Sequence, residues 1–301
     1  MVGIRVRRRA CAHIALALAV CSAAVRAQIV DTLFVDDFET CSDAAQLIYA
    51  FDAGGALVRL DPRLIATPAT AFASLGTPAC TLGSPLPGWV STVPLSMALD
   101  VHGKVWALYS SGELFRIDPA TLACEALPFA SSASWQLFQM AFSGHAETRS
   151  QWLYVSGGSA AFSAPGNFGR IDPANVAGGV QTIGPLGGSA DETVPLATVG
   201  TDVVYGFYPR FVATTQMQQI DRSTGALLGN PLTVIDFDGN STQDWAFAHW
   251  GGEFWIFLNN GIGTALVTVD LVTGMGQFVV GGIPYTPVAA ATSTCAPTTL
   301  N

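Results

Sequence analysis

The sequence predicts an all-β protein, a β-propeller of five four-stranded blades closed by strand exchange between the N- and C-terminal ends. Three observations carry this. A worn motif of the form L-F-R-I-D-P recurs at 57–62, 114–119, 168–173, 217–222 and 266–271. Its aspartates, Asp61, Asp118, Asp172, Asp221 and Asp270, lie 57, 54, 49 and 49 residues apart. That is the length of a repeat that folds as one blade. Between the motifs, short apolar runs alternate with glycine- and proline-rich turns, the mark of strands joined by hairpins. Finally, the two ends of the repeat region complement each other.

Blade two is the clearest. Residues 95–100 form a first strand, His102-Gly103 turns the chain, and 104–109 alternate as a second strand. After Ser110-Ser-Gly112, residues 113–118 form a third strand that stops at Pro119, and 124–127 form a fourth. By the same reading blade three uses 137–143, 151–155, 168–172 and 180–183. Blade four uses 195–199, 203–207, 216–221 and 232–235. Blade five uses 244–250, 253–258, 265–270 and 277–280. Blade one opens at 47–51, already a second strand, and lacks an inner one. The segment Thr286-Pro-Val-Ala-Ala-Ala291 matches the inner strands Val93-Pro-Leu-Ser-Met-Ala98 and Val194-Pro-Leu-Ala-Thr-Val199. Residues 288–294 are therefore expected beside 47–51, which closes the ring and hides two sheet edges.

The repeat pattern, an apolar strand, a D-G or H-G turn, an L-Y/W-A strand and L-x-R-I-D-P, resembles secreted bacterial propellers of the NHL, PQQ-like and related uncharacterised repeat classes. The resemblance covers most of 47–294 and implies the fold. It transfers neither substrate nor catalytic residues.

The expected organisation is a signal peptide at 1–27, a leader at 28–43, the propeller at 44–296 and a tail at 297–301. Arg5, Arg7, Arg8 and Arg9 precede a short apolar core, and Val25-Arg-Ala27 supplies small residues for cleavage; this is a secretory signal, too short to span a bilayer. A second reading is lipidation at Cys21, since Leu18-Ala-Val-Cys21 resembles a lipobox. The leader Asp31-Thr-Leu-Phe-Val-Asp-Asp-Phe-Glu39 resembles the D-x-I/L-F-x-D-x-F-E segment that follows the signal in many exported bacterial proteins. The expected location is secreted, periplasmic or cell-surface, without a transmembrane segment, as a monomer.

Half of the residues are apolar and only 12% are charged, with 31 Gly and 17 Pro, which describes a turn-rich globular chain and not a disordered one. Removing the signal's five arginines from 13 basic residues leaves eight against 22 acids, a formal charge of −14. Such a surface repels nucleic acid and anionic lipid. Four cysteines remain. Two disulfides are expected, Cys41–Cys295, brought together by ring closure, and Cys80–Cys124, near the outer strands of neighbouring blades. No C-x-x-C spacing suggests zinc.

Candidate sites are few. Arg59, Arg116 and Arg170 of the repeat motif would form a ligand ring if they converged. The simpler reading is that each Asp caps a turn while each Arg pairs locally. His102, His145 and His249 each follow an inner strand and read as polar turn residues, not a metal ring. The loop Asp236-Phe-Asp238-Gly-Asn240-Ser-Thr242-Gln-Asp244 places oxygen side chains at positions 1, 3, 5 and 9. It resembles the calcium loops of EF-hands and integrin-type propellers. In that reading Asp236, Asp238, Asn240, Thr242 and Asp244 hold calcium, the one candidate cofactor, although Ser241 replaces the usual glycine and Phe247 cannot act as the twelfth ligand. Asn240-Ser-Thr242 is also a glycosylation sequon. Acid pairs for glycoside chemistry are Asp191-Glu192, Asp36-Asp37 and Asp202. Arabinanase-like enzymes share the blade count, but their motif residues are missing, and no G-x-S-x-G elbow marks a serine nucleophile. Trp135, Trp152, Trp245, Trp250 and Trp255 would bind flat ligands if exposed; aromatics in alternating strands more often pack between blades.

The sequence therefore carries no catalytic signature. It predicts an exported, non-enzymatic propeller that binds an unidentified extracellular protein or carbohydrate. The alternative is a hydrolase or lyase acting on carbohydrate in the central cleft.

Overall fold

A computed structural model of the chain describes residues 41–145, 150–158, 166–187, 194–208, 215–234 and 244–299, all within the compact unit Cys41–Asn301. The chain opens blade one with β1 (Ile48–Asp52), β2 (Leu57–Leu60) and β3 (Phe72–Gly76). Blade two is β4 (Pro94–Leu99), β5 (Val105–Tyr109), β6 (Leu114–Ile117) and β7 (Cys124–Ala126). Blade three is β8 (Leu137–His145), β9 (Ser150–Gly158), β10 (Asn167–Ile171) and β11 (Gln181–Pro185). Blade four is β12 (Leu196–Val199), β13 (Val203–Tyr208), β14 (Gln216–Ile220) and β15 (Leu227–Thr233). Blade five is β16 (Asp244–Trp250), β17 (Glu253–Asn259), β18 (Thr264–Asp270) and β19 (Gly276–Ile283). The last strand, β20 (Pro287–Ala291), returns to blade one, giving five antiparallel four-stranded sheets. The inner strands lie side by side around an axis: β20 beside β4, then β8, β12, β16 and back to β20. The protein is a five-bladed β-propeller.

Each blade is sandwiched between two others, so its middle strands are apolar on both faces. All five residues of β5 are buried. Successive side chains enter opposite seams, as strand geometry requires. In β1, Tyr49 and Phe51 pack towards blade two with Met97, Leu99 and Phe115. Ile48 and Ala50 pack towards blade five with Trp250, Trp255 and Phe257. A one-residue slip would exchange the two sets, so the seams hold the register. Among the fully buried side chains are nine phenylalanines. Each stabilises the fold by roughly 1.5–3 kcal/mol.

The repeated aspartate does one job five times. The Oδ1 atoms of Asp61, Asp118, Asp172, Asp221 and Asp270 accept from the backbone N–H two residues on, at Arg63, Ala120, Ala174, Ser223 and Val272. This Asx turn stops the third strand of every blade. Three copies continue alike. The N–H of Leu122, Gly225 and Gly274 closes onto the aspartate carbonyl four residues back. The hydroxyls of Thr121, Thr224 and Thr273 then accept from Ala123, Ala226 and Met275. The position filled by Gly225 and Gly274 has positive φ, and in blade two Leu122 takes it at φ 58. A left-handed leucine costs about 1–2 kcal/mol; its side chain packs against the seam between blades one and two, which offsets that cost.

The strand exchange forms, but the closing strand ends at Ala291, three residues before the expected 294, and begins at Pro287. Tyr49, Ala50, Phe51 and Asp52 pair with Ala291, Ala290, Ala289 and Pro287. Beyond Ala291 the chain leaves the ladder and crosses the axis. Thr292 donates to the His249 carbonyl, Ser293 to the Ala45 carbonyl, and Gln151 to Thr294. Cys295 lies against Val101, Gly251 donates to the Pro297 carbonyl, and Thr298 approaches Gly200. These contacts reach all five blades, so the segment lies across this end of the channel. At Gly252, with φ +86, a Cβ would sit 3.0 Å from the Thr298 carbonyl oxygen. Only glycine suits that approach.

Both disulfides form as expected, Cys41–Cys295 and Cys80–Cys124. The first ties the crossing segment to the start of blade one. Several strands run a few residues beyond expectation, and the outer strand of blade four departs most: it spans Leu227–Thr233 and so begins well before 232. Gly229, Asn230 and Pro231 read as a break, yet an outermost strand tolerates proline because one edge has no partner.

Replacing Cys41 and Cys295 together by serine should cost about 3–5 kcal/mol, since the bond closes most of the chain into one loop. Denaturant unfolding measures this, and the same change at Cys80 and Cys124, which closes a shorter loop, should cost less.

Candidate functional site

At the end where the inner strands begin, the channel opens into a cavity of about 400 Å³. Its walls come from the beginnings of all five inner strands: Pro94, Leu95 and Met97, Leu137–Met140, Pro195 and Leu196, Asp244–Phe247, and Val288–Ala290. The opposite end is where the crossing segment lies. Most of the lining is apolar. Gln139 is already engaged, its Nε2 donating to the Leu95 carbonyl.

The blades differ at their first residue, and this gives the cavity its chemistry. Inner strands of blades one and two open on Pro287 and Pro94, and Pro195 immediately precedes that of blade four. Blade five opens instead on Asp244-Trp245, and both line the cavity. Asp244 pairs with Asn259 at the end of the ladder. The Asn259 amide is turned elsewhere, donating to Thr264 and Thr286 and accepting from Gly261.

A second indole, Trp89, arrives from the long connection between β3 and β4. Cys80–Cys124 anchors the base of that connection. Leu86 donates to the Ser110 carbonyl, Gly83 to Glu113, and Thr92 to the Gly83 carbonyl. Trp89 is half-buried against the cavity and Val90 beside it is fully exposed. Trp89 was not among the tryptophans the sequence singled out. The signal was present: Pro-Gly-Trp89-Val in a loop lies outside any strand alternation and has no seam to fill.

Of the five singled out, Trp245 alone lines the cavity. Trp135, Trp250 and Trp255 are buried in seams. Trp152 lies under Arg170, whose guanidinium carbon is 4.1 Å from its ring centre. The arginines do not converge, since they sit on the third strands of separate blades. Arg116 pairs with Glu125, Arg170 reaches Gln181, and Arg59 faces Tyr49 and Ala73.

The histidines need a correction. His102 is an exposed turn residue. His145 and His249 belong to the inner strands β8 and β16 and are not in turns. His249 is 1% exposed, edge-on to Phe254 at 5.6 Å, and its Nε2 has no hydrogen-bond partner. Burial pulls its pKa down to about 4.

Of the candidate calcium ligands, Asp236, Asp238, Asn240 and Thr242 lie outside the described residues, and Asp244 starts β16. Among the described residues no cluster of His, Cys, Asp and Glu is arranged to hold a metal. Asp36, Asp37, Asp191, Glu192 and Cys21 also lie outside them. Asp202 is exposed in the β12–β13 turn, at the end away from the cavity. Asp244 is thus the one carboxylate among the described residues that line the cavity. Among the described residues no helix is long and apolar enough to cross a membrane.

No protein-family model matches the chain, and no curated protein matches it. Among solved structures it is similar to an arabinanase of Bacillus subtilis at 11% identity, over 60% of this chain and 72% of that one, with TM-score 0.42. It is similar to the calcium-binding protein regucalcin of Agrobacterium tumefaciens at 16% identity, over 84% and 76%, with TM-score 0.43. TolB of Acinetobacter baumannii matches at 13% identity over 87% and 69%, again at 0.43. Likenesses this low carry no argument about what this chain binds or does.

The buried histidine sets a pH dependence. Its folded pKa, about 4, lies below the 6.5 of the unfolded chain. Between these values the unfolded state holds a proton that the folded state does not, so stability falls as pH drops from 6.5 towards 4. The gap amounts to about 3 kcal/mol. His249→Leu should remove that much of the loss, seen as a flatter stability profile between pH 6.5 and 4 than in the wild type.

Proposed function

We propose that the protein is an exported, non-enzymatic binding module that seats a small, largely apolar ligand in its channel. The observation that carries this is the cavity itself, which lies on the propeller axis and is open where the inner strands begin. Its size and its apolar walls with few polar groups are those of a small-molecule site. Two disulfides join the four cysteines of the described residues, which fits an extracellular or periplasmic protein.

A carbohydrate suits these walls poorly. Sugar hydroxyls left without partners in an apolar site cost free energy, and the described lining offers one carboxylate and one engaged amide. Glycoside hydrolysis ordinarily needs two carboxyl groups flanking the bond. A single carboxylate supports binding in preference to turnover.

A neutral fluorescent probe such as N-phenyl-1-naphthylamine should bind saturably with one-to-one stoichiometry. Ala53→Trp, which fills the exposed mouth of the cavity, should weaken that binding at least tenfold with an unchanged melting temperature. Glycoside turnover that Asp244→Asn abolishes would replace the binding reading with an enzymatic one.

A further inference from the structure

Resting on that reading, we infer that the ligand is an organic cation, an apolar body carrying an ammonium group that Asp244 and the two indoles receive. The argument is one of charge accounting at the entrance. Three described carboxylates stand at this end, where second strands finish and third strands start: Asp52, Glu113 and Asp244. Asp52 is committed to the N–H groups of Gly54 and Thr286. Glu113 is committed to the Gly83 N–H and the Ser111 hydroxyl. The side-chain carboxylate of Asp244, alone of the three, has neither a hydrogen bond nor an ion pair from any described residue, although Asp244 is half-buried and lines the cavity.

No described basic residue lines the cavity to balance it. Arg63, Lys104 and Arg116 are paired with Asp61, Asp118 and Glu125. Arg222 reaches Ser143 and the Gly144 carbonyl. A half-buried carboxylate facing an apolar space is costly without a partner, and the partner can arrive with the ligand. The neighbouring groups suit the same guest. Indole faces attract cations through the ring quadrupole, tryptophan most strongly of the aromatic side chains, and Trp89 and Trp245 line the same space as Asp244. The aliphatic floor, Met97, Met140, Leu196 and Ala290, takes the apolar body. The chain's net charge, −9 as encoded, draws cations towards it as well.

The test uses three probes of one shape and different charge: 3-phenylpropylammonium, 3-phenylpropanol and 3-phenylpropionate. Binding to the folded full-length protein is measured by calorimetry at pH 7 in the presence of a chelator. The ammonium should bind about tenfold more tightly than the alcohol, and the carboxylate more weakly still. Asp244→Asn should bring the ammonium-to-alcohol ratio close to one without weakening the alcohol. Trp89→Leu, in a loop outside every seam, should reduce the ratio as well and serves if the first variant fails to fold. Equal affinity for ammonium and alcohol in the wild type, or a ratio that survives Asp244→Asn, would overturn the cation assignment while leaving the apolar site standing. If none of the three binds, the site reading fails with it.

Discussion

Everything in this molecule depends on four backbone pairings, those of β20 with β1. A blade is a sheet with two edges, and five blades in an open row would leave one seam unfilled. The pairing of Tyr49 to Asp52 with Ala291 to Pro287 turns the row into a ring. It brings Ala290 against Ile48 and Trp250, and Ala289 against Tyr49 and Met97, so one short strand completes two seams at once. The small side chains follow from the position. Innermost strands converge on the axis, where alanines leave room for the neighbouring strands and for the cavity.

The cavity is a second consequence of the closure. The residues that leave β20 cross the axis and touch every blade, and Cys41–Cys295 fastens them. The same terminus therefore builds one wall of the pocket, through Val288 to Ala290, and covers the far end of the channel. Polar side chains buried along the inner strands tell the same story of crowding. Ser96, Thr198 and His249 each bury an atom without a hydrogen-bond partner.

How much of this could be read in the sequence follows from what repeats and what does not. The Asx turns, the strand order and the exchange recur in kind, so the aspartate spacing and the Val-Pro-Leu inner strands sufficed to place them. Both disulfides followed from that topology. Single departures from the repeat were harder. Leu122 stands where Gly225 and Gly274 announce a left-handed turn, and only its seam contact explains it. His249 lies two residues before the pair Gly251-Gly252 and resembles a turn residue, yet it pairs with Phe254 and the ladder continues past it to Trp250 and Glu253. The site consists of departures too. Asp244-Trp245 replaces an opening proline, and Trp89 sits in a connection that the repeat does not specify. Their convergence depends on the closed ring, which no local pattern contains.

The central claim is that the five blades form one cooperative ring closed by β20. Hydrogen–deuterium exchange on Ala290→Asp, with Ala126→Asp on an outer strand as control, tests it most directly. The first change puts a carboxylate into the closing seam, whereas Ala126 is exposed on β7. The account predicts that Ala290→Asp lowers protection in β8 and β12, no residue of which belongs to its packing cluster, to the same degree as in β1. It predicts that the control leaves them unchanged. Loss confined to β1 and β20, with blades three and four as protected as in the wild type, would contradict it.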